Sequence, residues 1–300
     1  MSVVFLGTSA AQPTTKRSLS CIALERKGEV FLFDCGEGSQ IQFRHAGLRF
    51  GRLAGIFITH MHGDHVSGLP GLLMSLQLTG RTEPLRIVGP LTLGDYISSV
   101  FHHLQSGLDF PLQITAHDQA ETVIEHGDYT VSVAPLDHRI PAIGYRFEER
   151  AAPGTFDVEG AMRRGVTDRR HFGVLQRGSD VTLDDGTVVR SRDVVGPSRR
   201  GKIFAYCADT RPCDASATLG RQADFLVHES TFGEDRLRQA DESGHSTAAQ
   251  AARVAHVADA RRLVLTHFSP RYDDLEVLEH EARPLFETVE AARELIVMRV

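Results

Sequence analysis

Four side chains that can bind a metal ion lie within six positions of one another in the stretch ITHMHGDHVSGLP, residues 58–70. They are His60, His62, Asp64 and His65. Imidazole nitrogens and carboxylate oxygens are ligands that zinc and similar divalent ions accept. Packing alone gives no reason for four such groups to converge. This turn therefore predicts a metal site.

The turn continues an apolar stretch, residues 53–60, that is predicted to be a strand. Side chains two apart on a strand share a face, so we expect His60 and His62 to point the same way. Gly63 allows a tight turn, after which Asp64 and His65 face the same space from the start of a helix. One ion takes three or four ligands, and these groups are crowded for a single ion. Two ions that share the turn are the more economical interpretation.

Two ions need further ligands, and the ends of three other predicted strands supply them. His138 ends PLDH, Asp209 lies in CADT and His267 lies in LTHFS. Taken alone, His138 or His267 would more commonly be a surface or hydrogen-bonded residue, but the turn favours metal binding by both. The two oxygens of Asp209 could bridge two ions. A pair of ions about 3.5–4 Å apart can activate water and stabilise both the attacking and the leaving oxygen of a displacement.

Short apolar runs rich in β-branched residues alternate with helical patterns, which predicts a layered α/β architecture. The predicted strands lie within residues 2–7, 29–38, 53–60, 129–138, 202–210, 224–231 and 261–267. The predicted helices are 38–48, 70–80, 93–104, 246–260 and 275–287. Ser246 and Thr247 are candidate N-caps of the fourth helix. Residues 148–201 are polar, rich in Gly, Pro and Arg, and carry the turn signal LDDGT at 183–187, so we expect an insertion that projects from the core.

Composition limits the class of protein. A chain of 300 residues with 41% hydrophobic and 24% charged residues is typical of a soluble globular protein. The apolar run after Met1 is too short for a signal peptide, and no stretch approaches the roughly 20 apolar residues of a membrane span. The four cysteines form no CxxC pair, which favours free thiols and a cytoplasmic location. The net charge of −6 argues mildly against a generally basic surface for nucleic acid, although a local patch can exist.

An ordered series of motifs resembles the ribonuclease Z family, within the metallo-β-lactamase superfamily. The superfamily's THxHxDH turn corresponds to Thr59–His65 and is specific only to the superfamily. The narrower likeness runs nearly the whole chain through FLGTSAAQPTTKRSLS, FDCGEGSQIQFRHAGL, IFITHMHGDHVSGLPGLL, APLDHRIPAIGYRFEE, GPSRRGKIFAYCADTR, LVHESTF, GHST and LTHFSPRY. The resemblance implies a four-layer αββα sandwich. It also implies an endonuclease that removes the 3′ trailer of precursor tRNA after the discriminator base, leaving a 3′ hydroxyl on the tRNA and a 5′ phosphate on the trailer.

The resemblance also implies roles for individual residues. It implies two zinc ions per subunit, with manganese as an alternative. The implied ligands are His60, His62 and His138 for one ion, and Asp64, His65 and His267 for the other, with Asp209 bridging both. Asp64 would also orient or deprotonate the attacking water. His245 of GHST would protonate the departing 3′ oxygen, and Glu229 of HEST would orient a histidine.

The insertion lies where the family carries an arm that grips the tRNA elbow. Five arginines in it cluster around one acid, Asp168, which would suit phosphate binding; they are Arg163, Arg164, Arg169, Arg170 and Arg177. Family members are homodimers in which the arm of one subunit serves the active site of the other. Two positions depart from the family. Residues 165–178 lack its frequent Gly-Pro motif, and Ser18 stands where Asn usually follows Arg17, a loop associated with the response to CCA.

Two other functions remain open. A small-molecule ester or phosphodiester hydrolase of the same fold would need neither the arm nor the GHST histidine. A catalytically silent RNA-binding protein could retain the metals as a structural staple, but it would not need His245. The favoured interpretation is a single domain over 1–300 with an arm inserted at 148–201. Its expected partners are precursor tRNA and a second copy of the chain, with no membrane.

Overall fold

A computed structural model describes the whole chain, Met1–Val300. The strands, in chain order, are β1 Ser2–Gly7, β2 Cys21–Arg26, β3 Glu29–Phe33, β4 Leu53–Phe57, β5 Leu85–Gly89, β6 Leu112–Ala116, β7 Glu121–Glu125, β8 Tyr129–Leu136, β9 Ala142–Glu149, β10 Val181–Thr182, β11 Val188–Val189, β12 Ile203–Cys207, β13 Phe225–Glu229, β14 Leu263–Thr266, β15 Val289–Ala291 and β16 Val297–Arg299. The helices are α1 Ser39–His45, α2 Gly63–Val66, α3 Leu69–Leu78, α4 Leu93–His103, α5 Val158–Arg163, α6 Arg169–Gln176, α7 Asp214–Leu219, α8 Leu237–Ser243, α9 Ala248–Val257 and α10 Glu276–Ala282. Short 3₁₀ turns occupy Phe50–Arg52, Ser191–Asp193 and Glu234–Arg236.

Two seven-stranded mixed sheets form the main body. The first has the order β16-β1-β2-β3-β4-β5-β6 and the second β15-β14-β13-β12-β9-β8-β7. Strands β3 to β6 pair in parallel in the first sheet, as do β12 to β15 in the second. Loops that follow parallel neighbours leave from the same edge of a sheet, which is where such folds build their sites. None of the helices combines the length and the apolar character needed to cross a membrane.

Successive side chains of a strand point to opposite faces of the sheet, and this alternation produces the layers. On one face of the first sheet, the Phe33 ring stacks on Phe57, with centroids 4.9 Å apart. Phe33 also contacts Phe204 of the second sheet, with centroids 5.0 Å apart, so these rings fill the space between the sheets. Alternate residues such as Leu32 point to the other face and join the helical core formed with α1, α3 and α4. Helices α7, α9 and α10 pack on the second sheet, and the predicted four-layer αββα sandwich is confirmed.

Replacing Phe33 with alanine should destabilise the protein strongly, because the ring is fully buried between the sheets. Removing a buried phenylalanine typically costs about 3–5 kcal/mol of unfolding free energy. Thermal melts followed by circular dichroism should therefore show a clear fall in Tm. Leu78→Ala is the matched control because Leu78 is 87% exposed, and its melting curve should match that of the wild type. Equal melting curves for Phe33→Ala and the wild type would contradict the assigned core.

Each predicted strand and helix overlaps an observed one. Strand β1 has its predicted bounds, α3 begins one residue earlier than predicted, at Leu69, and the other observed elements are shorter than predicted. The strand predicted to reach the metal-binding turn ends at Phe57. The amide of Ile58 still donates to Val88 of β5, whereas the amide of Thr59 donates to the side chain of Asp34 at 2.8 Å. A carboxylate has therefore replaced a strand neighbour as the acceptor.

Residues Glu148–Lys202, together with Gly127–Tyr129, form a compact unit of their own. It contains α5, α6 and the β10–β11 hairpin around a small apolar core of Ala161, Val166, Leu175, Val181, Val189 and Val194. The predicted turn at 183–187 is confirmed, since the amide of Leu183 donates to Thr187 and Gly186 has a φ of 83°. The predicted insertion is thus a folded element with its own core.

Two of the five arginines predicted to bind RNA form ion pairs in the structure. Arg170 pairs with Asp168, but Arg163 lies 3.7 Å from Asp157 and 3.6 Å from Glu159. Three of the five form no ion pair and are exposed: Arg164, Arg169 and Arg177. The helical turns of α5 and α6 separate side chains that are close in sequence.

Candidate metal centre

Loops that follow β4, β8, β12 and β14 bring the predicted metal ligands together. One group whose ligand atoms all lie within 4.8 Å of one another consists of His60, His62, His138 and Asp209. A second group consists of Asp64, His65 and His267. The seven residues come from positions as far apart as 60 and 267, so the cluster depends on both sheets.

The first group converges on one point. The Nε2 atom of His60 lies 3.1 Å from Nδ1 of His62, and Nε2 of His138 lies 3.3 Å from the same Nδ1. Oδ2 of Asp209 lies 3.6 Å from His60 Nε2 and 3.9 Å from His138 Nε2. Three ring nitrogens and one carboxylate oxygen therefore surround a small space, as in four-coordinate divalent metal sites.

The second group shares Asp209 with the first. Nε2 of His65 lies 3.2 Å from Nε2 of His267, and Asp209 Oδ1 lies 3.3 Å and 3.2 Å from these two atoms. Asp64 Oδ2 lies 3.4 Å from His267 Nε2 and 3.6 Å from His65 Nε2. Asp209 Oδ1 is buried and has no hydrogen-bond partner. A buried carboxylate oxygen without a partner is costly, and a cation would satisfy it.

In four of the histidines, the ring nitrogen that faces away from the cluster has a hydrogen-bond partner, and that partner shows which of the two ring nitrogens carries the proton. Nδ1 of His65 donates to the Asp34 carboxylate at 2.8 Å, and Nδ1 of His138 donates to the carbonyl oxygen of Gly244 at 2.7 Å. Both acceptors lack a proton to give, so Nδ1 carries a proton in each ring, and Nε2 carries the lone pair when the ring is neutral.

The same holds where the outer partner is a hydroxyl group. The Thr59 hydroxyl donates to Asp34 and therefore accepts from Nδ1 of His60. The Thr231 hydroxyl donates to Glu229 and accepts from Nδ1 of His267. When neutral, these four rings direct the lone pairs of their inner nitrogens toward one another and toward the carboxylates, an arrangement that a bound cation stabilises. The donor set fits one or more divalent metal ions.

Ionisation of the first group supports the same conclusion. Burial lowers the pKa of His60 well below its usual value, and neighbouring imidazoles add to the effect. Burial also lowers the pKa of His62 and His138, against the opposing charge of Asp209. Neutral imidazole is the form that binds a metal.

Sequence reasoning missed Asp34, which follows β3 and is fully buried. Its carboxylate accepts hydrogen bonds from the Thr59 amide at 2.8 Å, the Thr59 hydroxyl at 2.9 Å, His65 Nδ1 at 2.8 Å and the Tyr206 hydroxyl at 2.8 Å. Asp34 therefore fixes both the metal-binding turn and the His65 ring. Its signal in the sequence is an acidic residue directly after the apolar run EVFLF.

Asp34→Asn should weaken metal binding without removing a ligand. The asparagine side chain has one acceptor oxygen in place of two. Some of the donors that bond to the Asp34 carboxylate therefore lose their acceptor, and the His65 ring is held less firmly. Loss of a group that orients a metal ligand typically lowers affinity by about 10–100-fold. Titration against a chromophoric chelator would measure this change, with circular dichroism to verify the fold. Unchanged affinity in a folded variant would show that Asp34 has no such role.

His245 and Glu229 lie beside the cluster. Nδ1 of His245 is 2.8 Å from Glu229 Oε1, and the His245 ring centroid lies 5.1 Å from that of His138. Burial opposes protonation of His245, but the carboxylates of Glu229 and Asp209 outweigh it and raise the pKa of His245 to about 9. His245 is therefore protonated near neutral pH and can donate a proton at the edge of the cluster.

The start of α9 positions His245. Gly244 has a φ of 78°, in the left-handed region that glycine adopts readily, and ends α8. Thr247 is the N-cap of α9 and forms a capping box with Gln250, whereas the Ser246 hydroxyl donates to the carbonyl oxygen of Thr210. The prediction of Thr247 as a cap is confirmed, and that of Ser246 is wrong.

The structure thus gathers the seven predicted ligands, His245 and Glu229 into one place. The Asp64 side chain is 11% exposed, and its Oδ2 accepts from the amide of Ala11 at 2.7 Å. The five predicted RNA-binding arginines lie in the other compact unit.

Comparison with known proteins gives consistent matches. Residues 192–268 match the model of the beta-lactamase superfamily domain, and residues 1–113 match that of the anti-Pycsar protein Apyc1. Ribonuclease Z of Salinibacter ruber is 46% identical over 98% of this chain and 93% of the relative. Ribonuclease Z of Acaryochloris marina is 42% identical over 100% of this chain and 98% of the relative.

Solved structures agree with these relatives. Human tRNase Z, short form, superposes with a TM-score of 0.72 at 30% identity, covering 100% of this chain and 99% of its own. The metallo-beta-lactamase fold protein YhfI of Bacillus subtilis has a TM-score of 0.70 at 18% identity, covering 99% and 98%, a likeness of fold.

Proposed function

Because the chain belongs to the ribonuclease Z family, we propose that it is an endonuclease that removes the 3′ trailer from precursor tRNA. The observation that supports this most directly is the cluster of seven side chains that can bind metal, with His245 and Glu229 2.8 Å apart beside it. Cleavage would occur after the discriminator base, leaving a 3′ hydroxyl on the tRNA and a 5′ phosphate on the trailer.

The cofactors would be two zinc ions, with manganese as an alternative. His60, His62 and His138 would hold one ion, and Asp64, His65 and His267 the other, with Asp209 shared. When bound, the ions supply positive charge that activates water and stabilises the oxygens of the displacement. The short Asp209 distances to both groups support the shared role.

Two side chains would transfer protons, and a third would position one of them. Asp64 would orient or deprotonate the attacking water, since its carboxylate lies at the rim of the cluster. His245 would protonate the departing 3′ oxygen, and Glu229 would hold its ring in place through the 2.8 Å contact with Nδ1. Glu229 itself is fixed by the amides of Thr210 and Thr231, which supports a positioning role.

The folded unit at 148–202 would act as the tRNA-gripping arm, and two copies of the chain would associate so that each arm serves the other's site. Its three arginines without ion pairs support phosphate binding. The four free cysteines fit a cytoplasmic location.

The test is to incubate the zinc-loaded or manganese-loaded protein with a trailer-bearing tRNA precursor and map both new ends. The proposal expects a single cut after the discriminator base. Cleavage of bis(p-nitrophenyl) phosphate without precursor processing would instead indicate a small-molecule phosphodiesterase. Bound metal without cleavage of any phosphodiester would indicate a silent RNA-binding protein.

Replacing Arg164, Arg169 and Arg177 together with alanine should raise KM for the precursor and leave kcat nearly unchanged. Each lost phosphate contact reduces the slope of log K against log salt by about one. Cleavage measured across a salt series would show a shallower slope. A matched triple variant outside this unit, with Arg238, Arg253 and Arg293 replaced, carries the same change in charge. Equal effects of the two triple variants would remove the arm's specific role.

A further inference from the structure

A second concave site lies at the same edge of the sheets as the metal cluster. It is a cavity of about 420 Å³ whose walls are mostly apolar. The loops that follow the parallel strands β4, β5 and β6 contribute Met61, Leu91 and His117, and the β8–β9 connection contributes Ile140. The metal ligands and the cavity therefore share their supporting loops.

Residues that line the cavity are close in sequence to the metal ligands. Met61 lies between the ligands His60 and His62, and Ile140 follows His138 by two residues. Neither Met61 nor Ile140 has a role in metal binding. The cavity is therefore within reach of a group that neighbours a phosphate at the cluster.

The walls have the chemistry of a site for a flat ring. Leu91 is 61% exposed, and Met61 and Ile140 are half-buried, so the cavity presents apolar surface to solvent. The His117 ring donates from Nδ1 to Glu121 at 2.8 Å, and its Nε2 is buried without a hydrogen-bond partner in the protein. Small-molecule sites combine apolar walls with a few polar groups in this way.

We propose that this cavity is a subsite for a base of one of the two nucleotides that flank the scissile phosphate. The inference rests on the proposed function, which places that phosphate at the cluster. In RNA, only the bases offer apolar faces, since ribose and phosphate are polar. Either the discriminator base or the first base of the trailer would bring the same ring chemistry to the cavity.

A double-mutant cycle between protein and RNA tests the subsite. Leu91→Asp places a charge on the apolar wall without touching a metal ligand. Leu104→Asp is the matched control, because Leu104 is 50% exposed at the opposite end of α4. Three precursors would be compared: an intact one, one with an abasic discriminator nucleotide and one with an abasic first trailer nucleotide.

Leu91→Asp should lower kcat/KM for the intact precursor by about tenfold, the scale expected when the apolar contact of one leucine side chain is lost. Leu104→Asp should leave it unchanged. The loss caused by Leu91→Asp should disappear with one of the two abasic precursors, and that precursor identifies the bound base. Leu91→Ser, which adds no charge, should give a smaller loss of kcat/KM, and this loss should disappear with the same abasic precursor.

An equal loss on all three precursors would overturn the subsite, as would no loss on any of them. In both cases, cleavage of the intact precursor by the wild type would leave the proposed function standing. Failure of the wild type to cleave the intact precursor would overturn the proposed function and the subsite together.

Discussion

Asp209→Asn should reduce precursor cleavage by on the order of a thousandfold or more, because both proposed ions lose a ligand and a negative charge. The Asp209 oxygens lie 3.2 Å from His267 Nε2 and 3.6 Å from His60 Nε2, one on each side. An asparagine amide would also place N–H donors opposite ring lone pairs, so hydrogen bonds could replace the cation. Metal analysis of the purified variant should find fewer ions per chain than in the wild type.

Asp137→Asn is the matched control, since Asp137 lies next to His138 but is half-exposed and pairs with Arg211 at 3.1 Å. This variant should keep its metal content and its activity. Circular dichroism would verify that both variants are folded. If Asp209→Asn kept the wild-type metal content and rate, Asp209 would not be a shared ligand.

His245→Ala should lower kcat for precursor cleavage by about 10²–10⁴-fold, the usual contribution of a general acid, with metal content unchanged. The reason is the proton held on His245 by Glu229 and Asp209, which raise its pKa to about 9 despite burial. Single-turnover kinetics would measure the rate of the cleavage step, and metal analysis would measure the metal content of the same variant. Loss of metal in this variant would make His245 a ligand, as its proximity to Asp209 and His267 allows.

The leaving group offers a sharper test of the same residue. The p-nitrophenolate released from bis(p-nitrophenyl) phosphate departs without needing a proton, unlike a ribose 3′ oxygen. His245→Ala should therefore cleave this compound at nearly the wild-type rate. A loss as large as that on the precursor would mean that His245 positions the reacting groups and does not donate the proton.

The metal-binding turn could be predicted because its chemistry is local. His60, His62, Asp64 and His65 lie within six residues, so their residue types and spacing alone indicated a metal site, although β4 ends at Phe57 before the turn. The alternation of apolar runs and helical patterns likewise indicated the layered architecture, since each run is long enough to define one element.

Other features could not be predicted because they depend on partners remote in sequence. Asp34 acts through His65 and Tyr206, which are 31 and 172 residues away. Strand β5 was not among the predicted strands, and the structure pairs it with β4 on one side and β6 on the other. The early end of β4 depends on the same Asp34, whose carboxylate takes the amide of Thr59.

The placement of the ligands on loops from both sheets has a thermodynamic consequence. An ion that binds only the assembled loops adds its binding free energy to the stability of the fold, about 2.7 kcal/mol at a free concentration one hundred times Kd. Since His65 and His267 are 202 residues apart in the chain, each ion would act as a reversible crosslink between distant segments. The two sheets and the loops that carry the ligands would then unfold as one cooperative unit when loaded, and the concentration of free metal would affect the stability of the protein as well as its activity.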